Sequence, residues 1–206
     1  MIFFCNYHKK TILSSTNYVA ACRFFVLACV RAAVICGTGH QPYLLSAAGC
    51  MIARLMCALR GETYKSSFID SLGAGGFAKS IPDARTAVDW ISTDAHVVDA
   101  YVADPHCGQM FSVAAYAMLT SLTKEIVSKS HAQAVPKDVP LFFIAGAQDP
   151  VGECGKAVQR AVDMYTSAGV NQVDVRIYDG MRHEILNEPE HQRVYDDVAL
   201  WLKQNA

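Results

Sequence analysis

Charged side chains are scarce in this sequence. Only 18% of its 206 residues are Asp, Glu, Lys or Arg, and the formal net charge is −1 at pH 7 with no basic run. A nucleic-acid-binding surface needs clustered positive charge, so no nucleic-acid partner is predicted. Hydrophobic residues make up 52% of the chain, which argues against intrinsic disorder. At this length we expect one domain, or one domain with an insertion.

The eight cysteines lack the spacing of a disulfide framework or a zinc site. No C-x-x-C pair occurs, and no cysteine stands at ligand spacing from a histidine. Most cysteines sit in apolar runs, so we expect buried, reduced thiols in a cytoplasmic protein. Neither a metal nor another cofactor is predicted.

The amino-terminal part also lacks a clean membrane span. Residues 18–36 are apolar, but Arg23 and Arg31 interrupt them and a Gly-Thr-Gly turn follows directly. A span needs about 20 mostly apolar residues. We therefore predict a helix at 18–30, a core strand at 32–36 and no transmembrane segment.

The last third of the chain carries two apolar runs that each lead to a candidate catalytic side chain. Residues 139–145 form a short apolar run, typical of a parallel strand covered on both faces, and Asp149 follows it. An amphipathic helix is predicted at 155–168. A strand with period-two alternation is predicted at 173–178, and His183 comes after it.

An Asp after one parallel strand and a His after the next lie at the same edge of a sheet, where α/β active sites form. A buried carboxylate that accepts from one imidazole nitrogen leaves the other nitrogen free to take a proton from a nucleophile. The alternative is that Asp149-Pro150 is a simple turn and His183 an ordinary solvated histidine.

The sequence segments around Asp149 and His183 resemble those of a known family. FFIAGAQDPVGECGKAV and YDGMRHEILNE are similar to the acid and histidine segments of the α/β-hydrolase branch that holds lysophospholipases, monoacylglycerol lipases and serine aminopeptidase S33 domains. The resemblance runs from about residue 30 to the end. The residues that match the family pattern are Gly146, Asp149, Pro150, Val151, Gly152, Tyr178, Gly180, His183, Glu184, Asn187 and Glu188.

The resemblance implies an α/β fold with carboxyl-terminal parallel strands, flanking helices and an inserted helical cap. The implied divisions are a partial core at 1–38, the cap at 39–133 and a core with the Asp and the His at 134–206. It also implies a serine hydrolase for carboxylic esters of lipids, a small-molecule lipid ester being the substrate. Asp149 would orient His183, and His183 would act as general base and then as general acid.

The predicted cap is helical. Helices are indicated at 44–59 and near 113–128, with a glycine-rich loop at 73–76 between them; a last helix at 190–203 closes the chain. The methionines of the cap suit an acyl-chain tunnel or simply fill a core; they are Met51, Met56, Met110 and Met118.

The nucleophile of the family pattern is missing. In this fold the serine sits in G-x-S-x-G, and none of the 206 residues belongs to such a motif. By position the serine should precede the helix at 18–30, which leaves Ser14 and Ser15 as candidates, although no glycine flanks either. A catalytically inactive remnant, or an interaction module, is the alternative to an active hydrolase.

The predicted sheet is incomplete. Three parallel strands would leave one sheet edge bare, and exposed edges invite pairing between chains. We therefore expect the carboxyl-terminal portion of an α/β-hydrolase fold, in which residues 1–17 match nothing in the family. Self-association through the exposed edge is a further prediction.

Overall fold

The computed structural model describes residues 2–6, 9–13 and 30–205, and their strands form one five-stranded sheet. The spatial order is β2-β1-β3-β4-β5. β3, β4 and β5 run parallel, whereas β1 is antiparallel to both β2 and β3. The bounds are β1 Ile2–Asn6, β2 Lys9–Leu13, β3 Ala32–Cys36, β4 Leu141–Gly146 and β5 Val173–Tyr178.

Helices fill the connections within the described residues. Five α-helices and two 3₁₀ helices, Ala74–Ser80 and Asp89–Ile91, lie between β3 and β4. One helix joins β4 to β5, and one follows β5. The α-helices are α1 Tyr43–Arg60, α2 Ser67–Leu72, α3 Ala95–Ala103, α4 Val113–Ile126, α5 Lys129–Ala134, α6 Lys156–Ser167 and α7 His191–Asn205.

The centre of the core is β4, all six residues of which are buried. Successive side chains of a strand point to opposite faces. Phe143 therefore packs with Val158 and Val162 of α6 on one face. Phe142 packs on the other face, where its ring stacks on Trp201 of α7 with 5.1 Å between the ring centroids. Covering both faces explains why β4 is a continuous apolar run rather than an alternating one.

The helices between β3 and β4 have a small core of their own. Ala53 of α1, Ile69 of α2 and Tyr116 of α4 are buried together. Four of these helices start at a side chain that accepts a hydrogen bond from a backbone N–H of the first turn, which satisfies a donor that the helix leaves unpaired. The capping residues are Ser66, Asp94, Ser112 and Ser128.

Much of the apolar surface of α1 is exposed. By length and composition α1 passes the test for a membrane-spanning helix, with a mean hydropathy of 1.3, a test that many core helices also pass. The expectation of no transmembrane segment stays a prediction. Met51 of α1 and Met118 of α4 are exposed, so core filling is the wrong interpretation for these two methionines.

The structure confirms the predicted parallel strands, and two of them have the predicted bounds. β4 begins at Leu141 rather than at 139, after Pro140, which has no N–H to donate to a neighbouring strand. The helices predicted at 155–168 and 190–203 are present as α6 and α7. The divisions at residues 38 and 133 stay predictions.

Two expectations were wrong. The edge of β3 is not bare, because β1 pairs with it from Ile2↔Ile35 to Cys5↔Ala32. The glycine-rich stretch at 73–76 is not a simple loop, since a 3₁₀ helix begins at Ala74. The helix predicted at 18–30 lies outside the described residues except for Val30. Self-association stays a prediction, and β5 now forms one edge of the described sheet.

Truncating Trp201 should destabilise the fold, because its ring is buried against Phe142 and its Nε1–H donates to Asp174 at 2.7 Å. We expect Trp201→Ala to lower the free energy of unfolding by about 3–5 kcal/mol. The neighbouring Leu200 is 57% exposed, and Leu200→Ala should change it by less than about 0.5 kcal/mol. Denaturant unfolding of both variants measures this, and equal losses would contradict the core described above.

Candidate functional site

The parallel pairing of β4 with β5 brings two loops to one edge of the sheet. The last register pair is Gly146↔Tyr178, so the segments that follow β4 and β5 leave the sheet side by side. Two backbone hydrogen bonds continue the contact beyond the strands, from the N–H of Ala147 to the Tyr178 carbonyl and from the N–H of Gln148 to the Met181 carbonyl, both at 2.9 Å. The loop after β4 is thereby held against the loop after β5.

Asp149 and His183 meet at this edge. The Asp149 side chain is 0% exposed, and its Oδ2 lies 2.9 Å from His183 Nδ1. Its Oδ1 accepts from the Val151 N–H at 2.9 Å. An ionised carboxylate only accepts hydrogen bonds, so the proton of a neutral His183 belongs on Nδ1. Within the described part of the chain, Nε2 has no hydrogen-bond partner, and the His183 side chain is 27% exposed.

Glycines allow the loops to approach this closely. A Cβ on Gly146 would overlap the Arg182 carbonyl oxygen. A Cβ on Gly37, which follows β3, would lie 3.1 Å from His183 Cε1, and the φ of +62° at Gly37 disfavours any other residue. The His183 ring therefore packs against the backbone of Gly37, where there is no side chain to displace it.

Trp90 covers one side of the histidine. Its ring centroid lies 5.2 Å from that of His183 with an interplanar angle of 49°, and its carbonyl accepts from the His183 N–H at 3.3 Å. Phe77 lies edge-on to Trp90, with 5.0 Å between the ring centroids. An aromatic wall beside the imidazole removes water from one side of the site and restricts how the ring can turn.

The loop that follows Asp149 has an unusual backbone conformation. Glu153, Cys154 and Gly155 all have positive φ, at 49°, 53° and 90°. Non-glycine residues pay for such conformations, and they persist only where the surroundings hold them. Here the guanidinium of Arg160 donates to Glu153 at 2.6 Å and to the His40 carbonyl at 3.0 Å, which joins this loop to the one after β3.

The site also contains a buried thiol. Cys36 is the last residue of β3, and burial raises its pKa to about 11, with a smaller contribution from the negative charge of Asp149. At neutral pH it is a thiol rather than a thiolate. Since the thiolate is the reactive form, Cys36 is a poor nucleophile.

The predicted site residues divide into two groups. Asp149 and His183 are brought together, whereas Ser14 and Ser15 lie outside the described residues. Gly37 and Trp90 were not recognised from the sequence, and each is distant in sequence from the residue that it contacts. Among the described residues, no group of three or more His, Cys, Asp or Glu side chains could hold a metal ion.

The sequence matches one family model and a named relative. The family model described as serine aminopeptidase S33 matches residues 21–190. A protein of Mycolicibacterium smegmatis (strain ATCC 700084 / mc(2)155) named monoacylglycerol lipase is 32% identical over 133 residues, which are 62% of this chain and 43% of that protein.

Solved structures have the same fold. A thermostable carboxyl esterase from Bacillus coagulans aligns with a TM-score of 0.78 at 24% identity, over 91% of this chain and 62% of that one. A monoacylglycerol lipase from Paleococcus ferrophilus aligns at 0.63 and 14% identity, over 93% and 64%. The chain thus spans from 43% to 64% of the lengths of these three relatives.

A methyl group on Gly37 should displace the imidazole. Gly37→Ala combines a positive φ with a contact at His183, whereas Gly169→Ala has a φ of +87° and nothing within 4 Å of the new Cβ. Both substitutions should cost about 1–2 kcal/mol of stability from backbone strain. Only Gly37→Ala should also shift the His183 ring signals in an NMR spectrum. Unchanged His183 signals in that variant would contradict the contact.

Alkylation should distinguish Cys36 from Cys154. Cys154 is exposed, whereas Cys36 is buried with a pKa raised to about 11. At pH 8 fewer than about one in a hundred Cys36 side chains would be thiolate. We expect iodoacetamide to modify Cys154 first, with Cys36 protected until the protein unfolds, as followed by peptide mass spectrometry. Equal rates in the folded protein would contradict the burial of Cys36.

The raised pKa of Cys36 makes the free energy of unfolding depend on pH. Because the pKa of Cys36 is higher in the folded than in the unfolded state, its contribution to stability is complete below the unfolded value, near 9, and declines as the pH rises toward 11. Cys36→Ala should therefore lose less stability than the wild type between pH 9 and pH 11. Denaturant unfolding across that interval measures it, and parallel pH profiles would contradict the shift.

Proposed function

This chain belongs to the serine aminopeptidase S33 family of α/β-hydrolases, and we propose that Asp149 and His183 are its acid–base pair for cleaving carboxylic esters of lipids. The single observation that carries the proposal is the 2.9 Å contact between His183 Nδ1 and the fully buried Asp149 carboxylate. That contact orients the imidazole and leaves Nε2 available for proton transfer.

The role of Asp149 follows from its burial. A carboxylate removed from water is costly unless hydrogen bonds replace the lost hydration. Two donors converge on Asp149, the Val151 N–H and the His183 imidazole. When His183 takes up a proton, the imidazolium stands beside this negative charge and is stabilised by it. Asp149 therefore fixes the tautomer before the reaction and offsets the positive charge during it.

The role of His183 is a proton relay at Nε2. As a general base it takes the proton of a serine hydroxyl while the serine oxygen bonds to the ester carbonyl carbon. As a general acid it returns that proton to the alcohol when the carbon–oxygen bond breaks. Water then enters by the same relay, releases the fatty acid and restores the serine. Trp90 lies against one side of the imidazole throughout.

The substrate class is supported by the named relative. The Mycolicibacterium smegmatis protein carries the name monoacylglycerol lipase and shares 32% identity over 133 residues. We infer a glycerol or lysophospholipid ester as the substrate of this chain. The many exposed apolar side chains of α1 and α4 suit a lipid ligand, and they include Leu44, Leu55, Leu59 and Met118.

A second candidate function is a binding or interaction module without catalysis. The observation that favours it is that the 206 residues hold no G-x-S-x-G. Ser14 and Ser15 stay the proposed positions for a nucleophile, and both lack flanking glycines. If they do not react, the protein keeps the family fold and the Asp149–His183 pair without the family reaction.

A fluorophosphonate probe tests the proposed function. We expect the chain to be labelled on a serine, since the probe reacts with serines activated by a neighbouring histidine. His183→Ala should reduce the labelling rate by at least about 100-fold and Asp149→Asn by a similar factor, because members of such a site act as a unit. Peptide mass spectrometry would identify the serine.

His106→Ala is the matched control, because His106 is exposed and its described hydrogen bond is with Asp104 rather than with Asp149 or His183. Its labelling rate should equal that of the wild type. Absence of labelling in a folded wild-type chain would contradict the hydrolase proposal and support the binding module. Labelling that survives His183→Ala would show that His183 is not the base.

A further inference from the structure

A second buried carboxylate connects two segments of the chain. One is residues 179–190 after β5, which we call the histidine loop, and the other is residues 89–94, which we call the tryptophan segment. Glu188 is only 1% exposed. It accepts hydrogen bonds from the Arg182 N–H at 2.7 Å, the Thr93 N–H at 3.0 Å and the Ser92 hydroxyl at 3.2 Å. The Thr93 hydroxyl donates to it as well. Four donors from two separate loops therefore converge on one side chain.

Backbone hydrogen bonds run alongside this carboxylate. The His183 N–H donates to the Trp90 carbonyl at 3.3 Å, and the Glu184 N–H donates to the Ile91 carbonyl at 2.7 Å. The two loops thus pair much as two short strands would. Their pairing brings the Trp90 ring to 5.2 Å from the His183 ring.

Arg182 adds a further connection between the histidine loop and the tryptophan segment. Its backbone N–H donates to Glu188, while its guanidinium donates to the Asp89 carbonyl at 2.6 Å and the Ser92 carbonyl at 2.9 Å. The residue immediately before His183 is therefore fixed to the tryptophan segment at both its backbone and its side chain.

We propose that Glu188 is a positioning residue for His183, which it holds in place by clamping the histidine loop and the tryptophan segment together. The proposal rests on the proposed function in one respect, that His183 is the proton relay. Glu188 makes no described contact with His183 itself, so it acts through Arg182 on one side and through Trp90 on the other.

A carboxylate suits this pocket. The Arg182 and Thr93 N–H groups can only donate, and the Ser92 and Thr93 hydroxyls also donate to Glu188, so an ionised carboxylate offers an acceptor to all four. A glutamine keeps one acceptor oxygen and lacks the negative charge, so its hydrogen bonds are weaker, and its NH₂ group can pair with the hydroxyls only if these turn to accept. The histidine loop and the tryptophan segment would then be held together less firmly, and the imidazole would lie further from Trp90.

NMR of the ¹³C,¹⁵N-histidine-labelled full chain tests the proposal. The readout is the ring-current shift that Trp90 imposes on the His183 ring protons, and Trp90→Leu defines its size. We expect Glu188→Gln to reduce that shift and to broaden the His183 signals, while the amide spectrum of the core stays that of a folded protein.

Glu190→Gln is the matched control, because Glu190 is exposed and two residues away on the same loop. It should leave the His183 signals unchanged. Where Glu188→Gln does not fold, Thr93→Val replaces it, since Thr93 is exposed and the substitution removes one donor without burying a new polar group. A smaller change in the same direction is expected.

The proposal is overturned if the ring-current shift in folded Glu188→Gln, or in Thr93→Val, equals that in Glu190→Gln. This outcome is independent of fluorophosphonate labelling. If Glu188→Gln changes the ring-current shift but the wild type is never labelled by the fluorophosphonate, the clamp is supported and the proposed function is contradicted. A chain that is labelled equally with and without Glu188, with unchanged His183 signals, keeps the proposed function and refutes the clamp.

Discussion

Parallel hydrogen bonding between β4 and β5 is the constraint on which the candidate site depends. The register from Leu141↔Val173 to Gly146↔Tyr178 makes both strands end at the same edge. An antiparallel pair would place the loop after β4, which carries Asp149, and the histidine loop at opposite edges. A parallel pair needs a crossover connection, and α6 provides it on one face while α7 covers the other. The chemistry of the edge is thus a consequence of how the core is packed.

The two buried carboxylates at this edge are both supported by backbone N–H groups. Asp149 is fully buried, yet the Val151 N–H and His183 supply both its oxygens with donors. Glu188, equally buried, is supplied by donors from the histidine loop and the tryptophan segment. Unpaired, either carboxylate would destabilise the fold. The same hydrogen bonds that make burial tolerable also fix the position of His183, so stability and orientation have one physical origin.

The sequence predicted the part of the fold that follows from local patterns. Continuous apolar runs indicated β3 and β4, period-two alternation indicated β5, and helical spacing indicated α6. The resemblance to the acid and histidine segments of the family then supported Asp149 and His183 as a pair. β1 and β2 were missed because their five-residue segments show no alternation. β1 also depends on pairing with β3 further along the chain, and β2 joins the sheet only through β1.

The contacts of Trp90 and Glu188 were missed for a related reason. Glu188 and Thr93 are separated by 95 positions, and no spacing rule relates residues so far apart. Glu188 was matched to the family pattern without a role, since the pattern shows that an acid stands there and not what it accepts from. Gly37 gave no signal either, because its importance lies in the histidine that rests on it.

The most direct test of the account is the tautomer of His183, measured from the ¹⁵N shifts of its two ring nitrogens when the ring is neutral. The account predicts that Nδ1 carries the proton and Nε2 does not, and that Asp149→Asn weakens this preference because an amide can also donate to the ring. A proton on Nε2 in the wild type, or the same tautomer populations in both proteins, would contradict the role assigned to Asp149.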